Sequence, residues 1–271
     1  MIDLRFKLSA MGKSIMNITS ATQLREYNAP DAVLKGRVIL ITGAYGGLGR
    51  ELVLNCARLG ATVILLGRSL PHLEQLYDEI EQLGYPQAGI VPLDLEGAAL
   101  KDYEDLAATI EKEFGQLNGL IHCAAALGSP TPLQAYDMME WAKVMYCNLH
   151  GPIMLTQTLM PLMDKSPNAS IIFTNDDRNT AYWGAYGASK AALKASAEIL
   201  ADETENLTND NDEPRITVNL VNPGLMRTRL RAKAFPGELP SEVPAPSTKV
   251  NPYLYLIARP DPREAGVNFY Y

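Results

Sequence analysis

In the stretch "WGAYGASKAAL" (183–193), Tyr186 and Lys190 stand four residues apart. On a helix that spacing puts both on one face, one turn apart. A phenol beside an ammonium can serve as a proton donor with its activator. Free tyrosine titrates near ~10, and a close cation favours the phenolate. A proton donor works best with its pKa near the operating pH. The plainer reading of the same stretch is the first turns of an alanine-rich helix.

A second group of residues suits a phosphate-bearing partner. "TGAYGGLG" (42–49) places Gly43, Gly47 and Gly49 between an apolar run and a helical pattern. Glycines there permit a tight turn and let backbone approach a pyrophosphate, and the following helix supplies free N–H groups. The strand–loop–helix context makes the motif informative, where a lone glycine-rich loop would not be. After the second apolar run stands Arg68, where an acidic side chain would hold a ribose 2′-hydroxyl. Arginine suits a 2′-phosphate, so the expected cofactor is NADP(H). Asp94 closes the third apolar run, where it faces the adenine end or simply caps a helix.

These residues need a frame, and the hydrophobic pattern supplies one. Short apolar runs at 37–42, 61–67, 89–94, 117–124, 170–174 and 215–221 read as buried strands. Helical spacing covers 47–59, 70–83, 98–114, about 135–163 with a break near Gly151-Pro152, and about 185–206. A short helix at 250–258 and a last strand at 266–270 follow. Such alternation predicts an α/β fold with a parallel sheet covered on both faces. The segment 206–214 reads as a solvated acidic loop. Residues 1–30 read as a partly flexible N-terminal extension before a domain over 31–271, with Met11 and Met16 as alternative starts.

Composition bounds the function. The chain has 271 residues, 47% hydrophobic and 20% charged, enough for one large core. Its net charge of −7 argues against nucleic acid or an anionic membrane as the main partner. Cys56, Cys123 and Cys147 are widely spaced without a metal-ligand pattern, so neither a disulfide scaffold nor a metal site is expected. A reducing cytoplasm is the simplest compartment. No apolar run approaches ~18 residues.

"TGAYGGLG", Asp94, Asn148, "YGASK" and "NPG" (222–224) occur in an order and spacing that resemble the short-chain dehydrogenase/reductase family, classical type, over about 35–270. "ATVILLGR", "MLTQTLMPLM", "WGAYGASK" and "RAKAFP" echo a group of proteobacterial oxidoreductases within it. The resemblance implies a single-domain, doubly wound Rossmann-type sheet of about seven strands. It implies hydride transfer between NADP(H) and a carbonyl or alcohol, with Tyr186 as general acid/base. Lys190 would hold the nicotinamide ribose and lower the tyrosine pKa. Asn148 would stabilise a helix bend and help hold a relay water. Gly43, Tyr45, Gly47, Leu48, Gly49, Arg68, Asp94, Leu95 and Ala124 would line the cofactor. Pro223 and Gly224 would flank the carboxamide, with Thr228 close by. The helix after Tyr186, with Ala191, Ala192, Ala195 and Ala197, would pair across subunits in a homodimer or homotetramer.

Two departures stand out. The family carries N-N-A-G or similar after the fourth strand, and this chain has "HCAA" (122–125). Its catalytic serine follows the fifth strand, and here "FTNDDRNTAYWGAY" (173–186) holds no serine. Strand register puts that place at Asn175 or Asp176, with Thr174 and Thr180 the nearby hydroxyls. An amide can donate a hydrogen bond, and so can a carboxyl kept protonated by burial; an ionised carboxylate cannot, and repels a developing alkoxide. This opens a rival reading, a non-catalytic NADP(H)-binding sensor or regulatory protein. The segment 225–250 falls at the family's substrate lid. Arg227, Arg229, Arg231 and Lys233 make it basic, which suits an anionic substrate or, more plainly, a solvated face.

Overall fold

The computed structural model describes residues 24–209, 214–258 and 268–271. The expected N-terminal extension up to residue 23, with its alternative starts, lies outside them, as does residues 210–213 of the acidic loop. The described strands are β1 (Val38–Thr42), β2 (Thr62–Gly67), β3 (Gly89–Pro92), β4 (Gly119–His122), β5 (Ala169–Thr174), β6 (Ile216–Asn222) and β7 (Asn268–Tyr270). They pair in the order β3-β2-β1-β4-β5-β6-β7, every pair parallel. The order turns back between β1 and β4, and there an open α/β sheet forms a crevice at its carboxyl edge.

Both faces of the sheet are covered, as the near-continuous apolar strands require. Along β1, Ile39 and Ile41 join one buried cluster with Leu52, Val53 and Tyr253, while Val38 and Leu40 join another with Tyr103, Leu155 and Leu193. Helices α1 (Gly47–Arg58), α2 (Leu70–Gln82) and α8 (Asn251–Ala258) supply the first face. Helices α3 (Leu100–Phe114), α5 (Gly151–Asp164) and α6 (Gly184–Thr204) supply the second.

Three differences from the sequence reading have physical causes. Strand β3 ends at Pro92 and is only half-buried, because it is the edge of the sheet. Strand β4 stops at His122; the next two N–H groups, of Cys123 and Ala124, both donate to Thr42 Oγ1 at 3.1 Å. The expected break in the long helix falls just before Gly151, where α4 (Met138–Met145) runs into one wide π-type turn, Tyr146–His150, and then α5. In the basic segment, which shows no period, a short α7 (Arg229–Ala234) forms behind Thr228, whose side chain accepts the Arg231 N–H. No described helix is long and apolar enough to cross a membrane.

His122 is a packed residue of β4, as its place on a buried strand suggests. Its ring stacks on Phe173 at 4.7 Å, and Nε2 meets Thr156 Oγ1 at 2.9 Å. Burial lowers its pKa from 6.5 to about 3. The imidazole is therefore neutral in the fold and free to take a proton only on unfolding. Stability is full above the ordinary histidine pKa and falls as pH drops below it, by ~1.4 kcal/mol per unit, until the folded pKa is reached. Urea denaturation between neutral pH and pH ~4 should show this slope in the wild type and a shallower one in His122→Leu.

Candidate active site

At the carboxyl edge of the sheet lies a cavity of about 610 Å³. Its walls take residues from the glycine loop, the ends of β2 to β6, the start of α6 and the segment after β6. Of the residues singled out from sequence, Gly43, Tyr45, Gly47, Leu48, Gly49, Arg68, Asp94, Leu95, Ala124, Tyr186, Lys190, Pro223, Gly224 and Thr228 all line it. Asn148 does not; it is fully buried behind the wall.

The glycine loop is a backbone cradle. Gly43 has φ +65°, and a Cβ there would lie 2.9 Å from backbone atoms of Ala124. A Cβ on Gly49 would overlap the Gly43 carbonyl oxygen. The first turn of α1 therefore sits directly against the loop, its N–H groups at the cavity wall, where phosphate would be held. Arg68 reaches out from the end of β2 and pairs with Glu96 at 3.5 Å, 64% exposed. Asp94 accepts the Glu96 N–H at 3.1 Å, making a local turn; α3 begins later, behind Ala99, so Asp94 is not its N-cap. The residues present thus fit a nucleotide: a cradle that side chains would fill, and a cation at its ribose end.

Tyr186 and Lys190 do share a face of α6, and both are buried, at 4% and 3% exposure. Lys190 Nζ donates to the Thr174 carbonyl at 2.9 Å, tying α6 to the end of β5. Burial lowers the Lys190 pKa. The expected lowering of the tyrosine pKa is not what this arrangement produces. Burial, then the Asp176 carboxylate, push Tyr186 upward, and the Lys190 ammonium stands 5.9 Å from its ring centroid. Asn148 lies in the π-type turn, where Oδ1 accepts the Ala126 N–H at 2.7 Å and Nδ2 donates to the Ala126 carbonyl at 2.9 Å. Nδ2 also reaches Ser189 Oγ at 3.0 Å. Its amide therefore knits the bent helix to the loop after β4.

The three residues open for the serine place separate clearly. Thr174 Oγ1 is turned away, taken by Tyr253 OH at 3.1 Å and near Cys123 Sγ at 3.5 Å. Asn175 is 2% exposed, and neither amide atom has a hydrogen-bond partner among the described residues. Asp176 meets the tyrosine: Tyr186 OH donates to Oδ2 at 3.3 Å, and Arg178 Nε donates to the same oxygen at 3.0 Å. The loop between β5 and α6 carries both Asp176 and Arg178 to the tyrosine. A Cβ on Gly187 would overlap the Arg178 carbonyl, so the loop packs directly on α6.

Sequence reasoning missed the other walls. The Trp183 ring lies 5.6 Å from that of Tyr186 and 5.8 Å from Phe235, with the Arg178 guanidinium over it at 5.0 Å. Trp183 precedes Tyr186 by one helical turn, a spacing that points both rings the same way. Phe235 gave no signal. The basic segment is largely self-engaged: Arg231 pairs with Glu238 at 2.6 Å, and Lys233 donates to the Gly128 carbonyl at 2.9 Å. Arg227, Arg229 and Lys233 are nonetheless exposed. Gly224 takes φ +67°, its N–H bonded to Asn222 Oδ1 at 3.0 Å. Thr228 turns its hydroxyl to the α7 cap, while its methyl would meet any Cβ on Gly47 at 2.9 Å.

Comparison with known proteins gives the family of this fold. The model of short chain dehydrogenases matches residues 37–239. YciK, an uncharacterized oxidoreductase of Escherichia coli K12, is 37% identical over 246 residues, 90% of this chain and 94% of that protein. A short chain dehydrogenase structure from Pseudomonas syringae is 39% identical with TM-score 0.83, covering 90% of this chain and 98% of the other. One from Shigella flexneri, complexed with NADP, is 38% identical with TM-score 0.83, covering 89% and 99%.

The cradle can be tested without any ligand. Gly49→Ala should cost ~1–3 kcal/mol in urea denaturation, because the methyl meets backbone that cannot swing aside. Gly97→Ala, where nothing lies within 4 Å, should stay within ~0.5 kcal/mol of wild type.

Proposed function

The chain belongs to the short chain dehydrogenase family, and on that premise we propose that it is an NADP(H)-dependent oxidoreductase of a small molecule. The observation that carries this is the placing of Tyr186 and Lys190, on one face of α6, in the same cavity as the glycine loop. A protein that only bound a nucleotide would not need a buried tyrosine and a buried lysine at its inner end. NADP(H), when bound, supplies or takes the hydride.

The chain's own residues do the rest. The glycine loop and the start of α1 hold the pyrophosphate, and Arg68 meets the 2′-phosphate. Pro223, Gly224 and Thr228 close the inner end. Lys190, anchored on Thr174, holds the ribose beside Tyr186. Tyr186 meets the reacting heteroatom through its hydroxyl. Asn148 keeps the π-type turn and the loop after β4 in register behind it. Trp183 and Phe235 shield the reacting centre from water. A carbonyl or alcohol is the family's ordinary substrate, and Asp176 is the residue that bears on that choice here.

The same reading extends to assembly and place. Of the alanines expected to pair across subunits, Ala197 is buried in the chain's own core, while Ala191 and Ala195 recur with Ile199 at helical spacing on the exposed side of α6, a surface suited to a second copy of the chain in a homodimer or homotetramer. We place the enzyme in the cytoplasm, free of membrane and nucleic acid.

Two experiments test the assignment. NADPH oxidation across a panel of unsaturated acceptors should fall at least about hundredfold in Tyr186→Phe; undiminished turnover would remove Tyr186 from the mechanism. Fluorescence titration should show Arg68→Asp losing at least about tenfold in NADPH affinity while NADH affinity holds or rises. Equal losses for both cofactors would place Arg68 outside the 2′-phosphate site.

A further inference from the structure

The group facing Tyr186 has the wrong sign for the family's ordinary substrate. Reducing a carbonyl builds negative charge on oxygen, and preorganised donors at that oxygen are what speed the step. Here the nearest side chain is a carboxylate. Asp176 Oδ2 receives both the Tyr186 hydroxyl, at 3.3 Å, and Arg178 Nε, at 3.0 Å. Its other oxygen, Oδ1, has no hydrogen bond among the described residues, and its side chain is 23% exposed at the cavity wall. With its proton directed at Asp176, Tyr186 turns oxygen lone pairs towards the cavity. Tyr186 and Asp176 therefore both present acceptors at the reacting end, while the Lys190 ammonium beside them is engaged with the Thr174 carbonyl at 2.9 Å.

We propose that Asp176 directs this site to carbon–nitrogen double bonds, with a protonated imine as the substrate class. The inference rests on the oxidoreductase reading above and narrows it. An iminium carries its N–H into the acceptors of Tyr186 and Asp176. Its carbon receives the hydride, the C=N π pair moves onto nitrogen, and the product is a neutral amine that keeps its N–H. The dihydronicotinamide is oxidised in the same step, and no further proton is needed. Positive charge on the substrate falls as the reaction proceeds, and no alkoxide forms beside the carboxylate.

The surroundings agree. Burial and the neighbouring carboxylate keep Tyr186 protonated, so its hydroxyl stays available to donate to Asp176. Trp183 and Phe235 offer aromatic walls, suited to a flat unsaturated cation. Arg178 offsets part of the carboxylate charge from one side only, at Oδ2, and Arg231 is held by Glu238 at 2.6 Å. The orphaned amide of Asn175, next in sequence, does not reach Tyr186 and leaves Asp176 as the group in the serine place.

The test compares a dihydroisoquinoline with the matching tetralone, in wild type, Asp176→Ser and Asp176→Asn, with NADPH affinity measured by fluorescence in parallel. The proposal expects wild type to reduce the imine at least about tenfold faster than the ketone, and Asp176→Ser to reverse that order. Faster ketone turnover in wild type, or an unchanged ratio in Asp176→Ser, overturns it while leaving the oxidoreductase reading intact. Absence of NADPH binding would instead sink that reading. A second readout needs no turnover: calorimetric binding of tetrahydroisoquinolinium with NADP⁺ present. A loss of at least about tenfold in both variants supports the proposal, and equal affinity in all three proteins overturns it, whether or not either substrate reacts.

Discussion

The site depends on the parting of β1 and β4. Up to Thr42 and His122 the two strands are paired. Past that point the Thr42 hydroxyl replaces the ladder, accepting the N–H groups of Cys123 and Ala124 at 3.1 Å each. One side chain thus satisfies two backbone donors that leave the sheet, a condition on any chain that turns away inside a protein. The glycine loop then passes so close to Ala124 that a Cβ on Gly43 would strike its backbone. The crevice has walls of main chain because these two strand ends are held open, and residues from the ends of β2 to β6, the start of α6 and the segment after β6 complete it.

The inner end is held by a second set of buried polar contacts. Lys190 ties α6 to β5 through the Thr174 carbonyl, and Asn148 ties the wide turn before α5 to the loop after β4. Both are costly groups to bury, and both are satisfied. The π-type turn is the means by which an otherwise regular helix aims Asn148 inward, since an extra residue in the winding rotates the side chain relative to an α-helix. Departures from the family's pattern fall next to these anchors. Cys123 contacts Thr174 in the space where the family has an asparagine, and Tyr253 reaches the same hydroxyl from α8.

Electrostatics then distinguishes this site. The chain is acidic overall, yet its cavity gathers Arg68, Arg178, Arg227, Arg229 and Arg231. Most have partners within the fold. Arg178 is spent on Asp176 and Trp183, Arg231 on Glu238 and Phe235. Of the four cations named in the segment 225–250, Arg231 is engaged by Glu238, and Arg227, Arg229 and Lys233 are exposed. The charge that faces Tyr186 is negative: burial first, and then this carboxylate, raise the tyrosine pKa where a nearby ammonium would have lowered it.

Much was legible in the sequence because it is local. Apolar runs, glycine spacing and the four-residue step from Tyr186 to Lys190 are properties of strands, tight turns and helices, and each of these has its own period. They placed the parallel sheet, the loop at the head of α1 and the paired face of α6. Strand ends were less legible, since where β4 stops is decided by Thr42, eighty-odd residues earlier. The partner of Tyr186 was not legible. Thr174, Asn175 and Asp176 are consecutive, and sequence spacing alone cannot say which of them a helix ten residues on will meet. The packing of the short loop on Gly187 turned Thr174 towards Tyr253, buried Asn175 and brought Asp176 to the hydroxyl. The sequence determined that a tyrosine and a lysine would share one helical face; the tertiary structure decided which charge stands opposite, because that contact joins segments whose meeting no local period records.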